Sequence, residues 1–197
     1  MLHHLVSIVF CYAFVSLVEY SAHRYLMHRP TIARLLGNIS YLERTYRDHA
    51  ILHHGKYYKC FNHEEDPVGK FHNLLLGITT TVAMLVLFCL PAYLLDPITG
   101  IYMSAMAIAH NVLWNIIHSE MHLARKPWFA KTRIYSYLCF HHFLHHQHAN
   151  TNYNVLFLLW DLLLGTQARA SETDKLVWEK IQAGEVVDRR GRTMQNK

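Results

Sequence analysis

The chain has 197 residues, of which 52% are hydrophobic and only 17% are charged, and its formal net charge is +5. This length predicts one domain with its own core, and the composition is typical of a membrane protein with a substantial polar part. The four cysteines are scattered and form no C-x-x-C pair, which disfavours a disulfide framework, a zinc ribbon and an iron–sulfur cluster.

Three apolar segments are predicted to form transmembrane helices, at residues 2–28, 73–95 and 98–118. The last two come close to the roughly 20 residues that a span requires, whereas the first has a shorter apolar stretch and needs its flanks to cross. The start, MLHHL, lacks Lys and Arg, and no small-x-small cleavage site follows the apolar stretch. We therefore expect a retained helix there rather than a cleaved signal peptide.

The basic residues predict the orientation of these helices. With three crossings, the start of the chain and the turn at 91–100 lie on one side of the membrane, and all 19 Lys and Arg residues lie on the other. The positive-inside rule makes that second side cytoplasmic, so the charge gives no case for a nucleic-acid partner. A bacterial inner membrane is favoured, or the endoplasmic reticulum if the host is eukaryotic.

The rest of the chain is predicted to be mostly helical as well. Residues 29–54 and 126–148 fit helices at the cytoplasmic membrane surface. Residues 155–165 are apolar but too short to span, so they pack at the surface or re-enter the membrane. The expected fold class is all-α, an integral membrane protein with about three transmembrane helices and further interfacial and cytoplasmic helices.

Histidines dominate the chemistry of the sequence, and most of the 17 fall into four tight groups. The groups are His23 and His28; His49, His53 and His54; His118 and His122; and His142, His145 and His146. On an α-helix, residues three or four apart share a face. That geometry pairs His49 with His53 and His118 with His122. It also lets His142 converge with His145 and His146.

The first pair is different, because His23 and His28 are five residues apart and lie roughly 140° apart on an α-helix. They act together if the helix ends near His28, as Pro30 suggests, or if they bind different metals. Neutral imidazole suits iron, copper, zinc and nickel, and ten imidazoles exceed what one ion uses. We therefore expect two metals at one membrane face. A solvated, metal-buffering surface is the alternative.

Several familiar catalytic motifs are absent from the sequence. H-E-x-x-H and E-x-x-H do not occur, which argues against a zincin-type hydrolase and a soluble carboxylate-bridged di-iron bundle. G-x-S-x-G and P-loop patterns are also missing.

The histidine motifs HRYLMH, HAILHH, HSEMH and HFLHH, in this order around a transmembrane hairpin, resemble those of the fatty acid hydroxylase and sterol desaturase superfamily. The later stretch NYNVLFLLWDLLLGT is similar to the family's closing segment, and the resemblance covers roughly Ala22 to Thr166. It implies a non-haem di-iron centre that uses O2 and two electrons to hydroxylate or desaturate a lipid C–H bond. The implied iron ligands are His23, His28, His49, His53, His54, His118, His122, His142, His145 and His146.

One position in this ligand set has an alternative, because His141 also shares a helix face with His145 and His148. The family spacing H-x-x-H-H favours His142. Metal-bound imidazoles need an acceptor on the second nitrogen. Glu19, four residues before His23, is one candidate acceptor, with Glu120 and Asp161 as others, although a simple helix-terminus contact would also explain Asp161. His141 is a further candidate for a residue that contacts a ligand histidine instead of the metal.

Polar residues within the third span allow two readings. Asn111 and Asn115 lie in line with His118 and His122, and polar groups in a membrane helix usually point inward. One reading is that they line a substrate channel or hold water next to the metal ligands. The other is that they only join helices by hydrogen bonds. His110 is equally ambiguous.

The sequence thus predicts an O2-dependent lipid hydroxylase or desaturase, with residues 1–170 as a membrane-embedded di-iron catalytic domain and residues 171–197 as a soluble helix and basic tail. A fatty acyl, sterol or sphingolipid-like substrate is expected, and a carotenoid ring hydroxylase is the alternative within the same chemistry. A histidine-rich metal-binding or transport protein and a b-type cytochrome are the rivals from other classes. Zinc can replace iron in purified protein.

No redox cofactor motif is visible, so the electrons must come from a separate ferredoxin, rubredoxin or cytochrome b5-like donor. A basic surface could attract such an acidic carrier, or it could only reflect the positive-inside rule and anionic lipid. Its residues are Lys56, Lys59, Arg125, Lys126, Lys131 and Arg133.

Overall fold

The computed structural model describes residues 1–35, 39–58, 61, 67–122 and 127–194, and within these ranges every regular element is a helix. The one pairing of extended residues in these ranges is an isolated antiparallel bridge between Val187 and Thr193. The predicted all-α fold is confirmed.

The first membrane helix carries the first histidine pair at its end. α1 (Leu2–Ser21) continues into a π-helical segment, Ala22–Met27. The whole stretch Leu2–Met27 is long and apolar enough to cross a membrane. The residues that flank the short apolar stretch are therefore part of the helix, which gives it the length that a membrane span requires.

The second and third membrane helices form a hairpin. Its elements are α4 (Pro67–Met84), a π-helical segment (Leu85–Cys89), α5 (Leu90–Leu95) and α6 (Pro97–Met121). Leu75–Leu95 and Pro97–Met121 both fit a membrane span by length and composition. All three predicted transmembrane helices are therefore present, and the chain is a membrane protein.

The hairpin turn is built by side chains suited to a tight reversal. Asp96 caps α6 by accepting hydrogen bonds from the Ile98 N–H at 3.3 Å and the Thr99 hydroxyl at 2.5 Å. A Cβ atom on Gly100 would lie 2.4 Å from the Tyr93 Cα atom, so only glycine lets α5 and α6 approach this closely.

The remaining helices surround the histidine end of the membrane helices. They are α2 (Thr31–Leu35), α3 (Ser40–Tyr46), a π-helical segment (Arg47–Tyr57), a 3-10 turn (Trp128–Lys131), α7 (Arg133–Gln147), α8 (Leu159–Leu163) and α9 (Glu172–Gln182). The Trp178 ring of α9 packs 5.1 Å from the Phe143 ring of α7, and Val177 is buried. The predicted C-terminal helix therefore packs on the histidine-bearing helix. The domain boundary at residue 170 stays a prediction.

The short apolar stretch before and within α8 runs back along the first membrane helix. Ser16 donates a hydrogen bond to the Phe157 carbonyl at 2.5 Å, and the Trp160 indole N–H donates to the Ala13 carbonyl at 2.7 Å. Ala13 lies ten residues before His23, about 15 Å farther along the helix axis. Residues 155–165 therefore pack along α1 at the level of Ala13 and Ser16, and we call them the re-entrant segment.

Two apolar cores hold these elements together. One lies between the membrane helices and includes Cys11, Val15 and Met103. The other surrounds the histidines and extends from Trp114 to Val177 of α9. The histidine-rich region is therefore enclosed by packed side chains rather than spread over a surface.

Candidate metal centre

The structure brings all ten predicted ligand histidines together in two adjoining clusters. The first cluster contains His23, His28, His49, His54 and His145. The second contains His53, His118, His122 and His142, with His146 beside them at 3.2 Å between the Nε2 atoms of His146 and His142. Within each cluster that could hold an ion, the candidate nitrogen atoms lie within 4.8 Å of one another. His53, His54 and His146 also form such a group, so the clusters meet.

The π-helical segments determine how the histidines divide between the clusters. His28 N–H donates to the His23 carbonyl at 3.1 Å, five residues back, which closes a wider turn than that of an α-helix. His23 and His28 therefore reach the same cluster, with 3.3 Å between their Nε2 atoms. The π-helical turns remove the expected 140° offset.

The same geometry overturns the expected pairing of His49 with His53. In the π-helical segment Arg47–Tyr57, His49 shares the first cluster with His54, and their Nε2 atoms are 3.2 Å apart. His53 points into the second cluster instead. The α-helical rule of three or four residues was wrong here because the backbone hydrogen bonds of this segment span five residues.

α6 and α7 supply the remaining histidines. His118 and His122 share the second cluster, in agreement with their α-helical spacing. The three histidines of α7 do not converge on one point, because α7 passes along the boundary between the clusters. Its His142 lies 2.9 Å from His122, and its His145 lies 2.9 Å from His28 of the first cluster, both measured between Nε2 atoms.

Backbone carbonyl groups orient three of the imidazoles. The Nδ1 atom of His23 contacts the Tyr153 carbonyl, that of His145 lies 2.6 Å from the Thr151 carbonyl, and that of His146 lies 3.0 Å from the Tyr58 carbonyl. Because a carbonyl only accepts, each Nδ1 is the protonated donor and each Nε2 carries the lone pair. In all three residues that lone pair faces a cluster.

The donor set fits bound metal ions. Two facing lone pairs repel one another unless a proton or a cation lies between them. The Nε2 atoms of His23 and His49 are 2.9 Å apart, and the buried Nε2 atom of His118 has no hydrogen-bond partner among the described residues. A metal–nitrogen bond of about 2.1 Å places neighbouring ligands at right angles about 3.0 Å apart. The observed spacings therefore match imidazoles arranged around a cation.

Burial keeps these imidazoles neutral. Among the cluster histidines outside the membrane helices, desolvation and neighbouring imidazoles lower the pKa values well below the ordinary value, for His28, His49, His54, His142, His145 and His146. Desolvation is the larger cause in each residue. Neutral imidazole is the form that binds metal, so these residues are ready to act as ligands at neutral pH.

His141 lies outside both clusters, although it is also buried. Its Nε2 atom is 3.5 Å from the Asp161 carboxylate. Asp161 accepts hydrogen bonds from the backbone N–H groups of Tyr153 at 2.9 Å and Asn154 at 2.6 Å. Asp161 thus positions the loop whose Tyr153 carbonyl orients His23, instead of contacting a cluster histidine itself.

Glu19 has a related position on the other side of this loop. Its carboxylate accepts from the backbone N–H groups of Val155 at 2.5 Å and Leu156 at 3.1 Å, and from the Asn154 side chain at 3.1 Å. These contacts give hydrogen-bond partners to the buried, non-helical backbone beside α1, as a membrane-embedded segment would require. Glu120 is half-buried near the end of α6 and belongs to neither cluster.

Several residues around the clusters were not identified from the sequence. Tyr58 stacks on His122 with 4.1 Å between ring centroids, and Trp114 stacks on His118 at 4.4 Å. The acceptors at Tyr58 and Thr151 are backbone carbonyls, so the identity of the side chain gives no indication of them. Only the Asn-Tyr sequence of the closing segment hinted at Tyr153.

An apolar cavity opens between the membrane helices and ends at the first cluster. It encloses about 590 Å³, including its open mouth, and its walls come from α1, α4 and α6. Val18, Leu76 and Met84 are among its apolar lining residues, and His23 lies at one end. A long apolar molecule in this cavity would therefore reach the histidines.

The predicted basic surface is described only in part. Lys56, Lys131 and Arg133 are exposed. Lys59, Arg125 and Lys126 lie outside the described residues.

The fold and the site define a helical membrane protein whose buried histidine clusters could hold metal ions at one end of its transmembrane helices. The sequence model of the family Fatty acid hydroxylase matches residues 8–166, and the chain belongs to this family. The resemblance in the histidine motifs is thereby confirmed. Searches of curated proteins and of solved structures found no significant match.

Proposed function

We propose that this protein is a membrane-bound, non-haem di-iron oxygenase that hydroxylates or desaturates a C–H bond of a lipid. The observation that carries the proposal is the pair of adjoining clusters, in which ten imidazoles surround two neighbouring points. The proposed iron ligands are the ten histidines that form these clusters. Two bound irons, with O2 and two external electrons, would supply an oxidant strong enough to break an unactivated C–H bond.

The protein's own groups would hold and shield this centre. The carbonyls of Tyr58, Thr151 and Tyr153 fix the tautomers of their partner histidines, so that the lone pairs face inward before metal binds. Nine of the ten histidines are buried, which excludes bulk water from the reacting region. The apolar cavity would bring the substrate carbon to the His23 side of the first cluster.

This cavity supports a lipid-like substrate such as a fatty acyl, sterol or sphingolipid-like molecule. A carotenoid ring hydroxylase is the alternative within the same chemistry, because its substrate is also long and apolar. We propose that the histidine side faces the cytoplasm, where a ferredoxin, rubredoxin or cytochrome b5-like protein would donate electrons. The exposed basic residues there could bind that carrier or anionic lipid.

The two rival classes fit the geometry less well. A metal transporter needs ligands along a path through the bilayer, whereas these histidines all lie at one end of the transmembrane helices. A b-type cytochrome needs facing single histidines with room for a porphyrin between them. Here the Nε2 atoms of facing histidines are as close as 2.9 Å.

The first test is the iron content of the purified protein after anaerobic reconstitution with Fe(II). We expect about two irons per chain, with clear losses in His118→Ala and His145→Ala, which each remove one cluster's ligand. His4→Ala is the matched control, because His4 is exposed and contacts Tyr102 at the opposite end of the helices. Weak binding of many metals, unchanged by either cluster variant, would mean a buffering surface. If about two irons bind and both cluster variants lose iron, O2-dependent oxidation of lipid extracts would identify the substrate.

A further inference from the structure

The cavity that reaches the first cluster contains polar groups which a plain hydrocarbon would not need. Its lining includes Asn111 and His110 of α6 and Thr80 and Thr81 of α4, all within transmembrane helices. A polar group facing an apolar ligand loses hydrogen bonds without replacement, and polar residues within membrane helices usually have a function. These residues therefore indicate something about the ligand.

Among the described residues, the hydrogen bonds of Asn111 leave its two side-chain N–H donors without an acceptor. The Asn115 Nδ2 atom donates to the Asn111 backbone carbonyl at 2.8 Å and to its Oδ1 atom at 2.6 Å. The backbone carbonyl can only accept, which identifies the donating atom of Asn115 as nitrogen and its side-chain partner on Asn111 as oxygen. The Asn111 Nδ2 atom donates to no group among the described residues, while its side chain lines the cavity.

Gly77 makes room for this arrangement. A Cβ atom on Gly77 would lie 2.5 Å from the Asn111 Oδ1 atom and 3.1 Å from the Asn115 Nδ2 atom. α4 can therefore pack against the two asparagines only because residue 77 has no side chain. The pairing of Asn111 with Asn115 explains the Asn111 Oδ1 atom as a structural contact, but it leaves the Asn111 Nδ2 atom without an acceptor among the described residues.

The other polar lining groups do not fix the direction of a hydrogen bond, because a threonine hydroxyl or an imidazole can donate or accept and the Glu19 carboxylate accepts. His110 Nε2 lies 3.2 Å from Glu19, and the Glu19 carboxylate is already occupied by backbone N–H groups of the re-entrant segment. The hydroxyls of Thr80 and Thr81 make no hydrogen bond with described residues. The Asn111 Nδ2 group is therefore the donor in this lining that an acceptor on a ligand would satisfy.

We infer that the substrate of the proposed oxygenase carries a hydrogen-bond-accepting oxygen within its apolar part, and that Asn111 binds this oxygen. The inference rests on the proposed function and adds a specificity-determining residue to it. Asn111 lies seven residues before His118, about 10 Å along the helix axis. The accepting oxygen would therefore lie about two helical turns from the histidine end of α6.

The test measures binding of methyl stearate and of a positional series of its keto derivatives to the iron-free protein in phosphatidylcholine nanodiscs. We expect one keto position to bind about fivefold more tightly than methyl stearate, as one net hydrogen bond predicts. Asn111→Leu should abolish that preference. Asn115→Leu is the matched control, because it removes the same Asn–Asn hydrogen bond but keeps the Asn111 Nδ2 donor.

Equal affinity across the keto series would overturn the inference without any variant, so it stays testable even if Asn111→Leu does not fold. Equal loss of the preference in both variants would also overturn it, since helix packing would then be the cause. Binding needs no iron. Failed iron reconstitution would therefore contradict the proposed oxygenase and leave the binding result intact. Oxidation of plain lipids with no keto preference would support the oxygenase and contradict the role of Asn111.

Discussion

The Glu19 carboxylate accepts a hydrogen bond from the Val155 backbone N–H at 2.5 Å, although the two residues are 136 positions apart in the chain. This contact joins the first membrane helix to the re-entrant segment. The same segment begins at the loop whose Tyr153 carbonyl orients His23. A carboxylate that never touches a cluster histidine therefore helps to position one of them.

Replacing Glu19 should weaken both the fold and the first cluster. In Glu19→Leu, the N–H groups of Val155 and Leu156 and the Asn154 amide lose this acceptor, and Asn154 and Val155 are buried. We expect the free energy of unfolding to fall by about 3–5 kcal/mol, the cost of a few unsatisfied buried donors. Thermal unfolding in detergent measures the change. Glu19→Gln keeps one acceptor oxygen and should fall between the wild type and Glu19→Leu, and equal stability of all three proteins would contradict the argument.

The division of the histidines predicts which variants behave alike. Fe(II) titration of the wild type should show two classes of site. We expect His54→Ala to lose the same class as His49→Ala, because both histidines face the first cluster. His53→Ala should instead lose the class that His118→Ala loses.

The α-helical spacing rule makes the opposite forecast, in which His49 and His53 act together. If His53→Ala reproduced His49→Ala and differed from His118→Ala, the π-helical arrangement of Arg47–Tyr57 would be refuted. His4→Ala serves as the unchanged control in the same titration, since it lies far from both clusters.

The sequence was sufficient for the parts of the structure that follow from composition. Apolar length predicted the three membrane helices, and the spacing of His118 and His122 predicted their shared cluster correctly. The assignment of His49, His53 and His54 to the two clusters could not be predicted from the sequence, because it depends on π-helical hydrogen bonding, which residue spacing does not reveal.

The supporting contacts were hidden for a different reason. The sequence indicates carboxylates beside the histidines, but the acceptors of His145 and His146 are backbone carbonyls, which every residue type possesses. Glu19 and Asp161 were recognised as candidates, yet their contacts are with the backbone of a loop that is distant in sequence. Only the folded chain shows which backbone atoms need them.

The cavity predicts a variant that separates lipid binding from metal binding. Ala107 is 4% exposed and lines the cavity, so Ala107→Leu should fill part of it. We expect binding of methyl stearate to weaken about tenfold, as overpacking of a well-fitted site suggests, while the iron content stays unchanged. Ala109→Leu is the control, because Ala109 is exposed and does not line the cavity. Equal binding by Ala107→Leu and the wild type would exclude this cavity as the lipid site.

The buried neutral histidines predict a loss of stability in mild acid. Burial holds the pKa values of His49, His54 and His145 well below the ordinary value of 6.5, so the folded protein resists protonation. The unfolded chain takes up protons below about pH 6.5. The free energy of unfolding should therefore be fully present above that pH and decrease as the pH falls, by up to about 1.4 kcal/mol per pH unit for each such histidine.

Thermal unfolding of the iron-free protein between about pH 8 and pH 5 measures this dependence. Bound iron requires neutral imidazole, so the iron-loaded protein should lose stability only at lower pH. His145→Ala removes one buried histidine, so its free energy of unfolding should depend less steeply on pH than that of the wild type. His4→Ala changes an exposed residue outside the clusters and should keep the slope of the wild type. A flat stability profile down to pH 5 would show that the clusters take up protons as readily in the folded protein as in the unfolded chain.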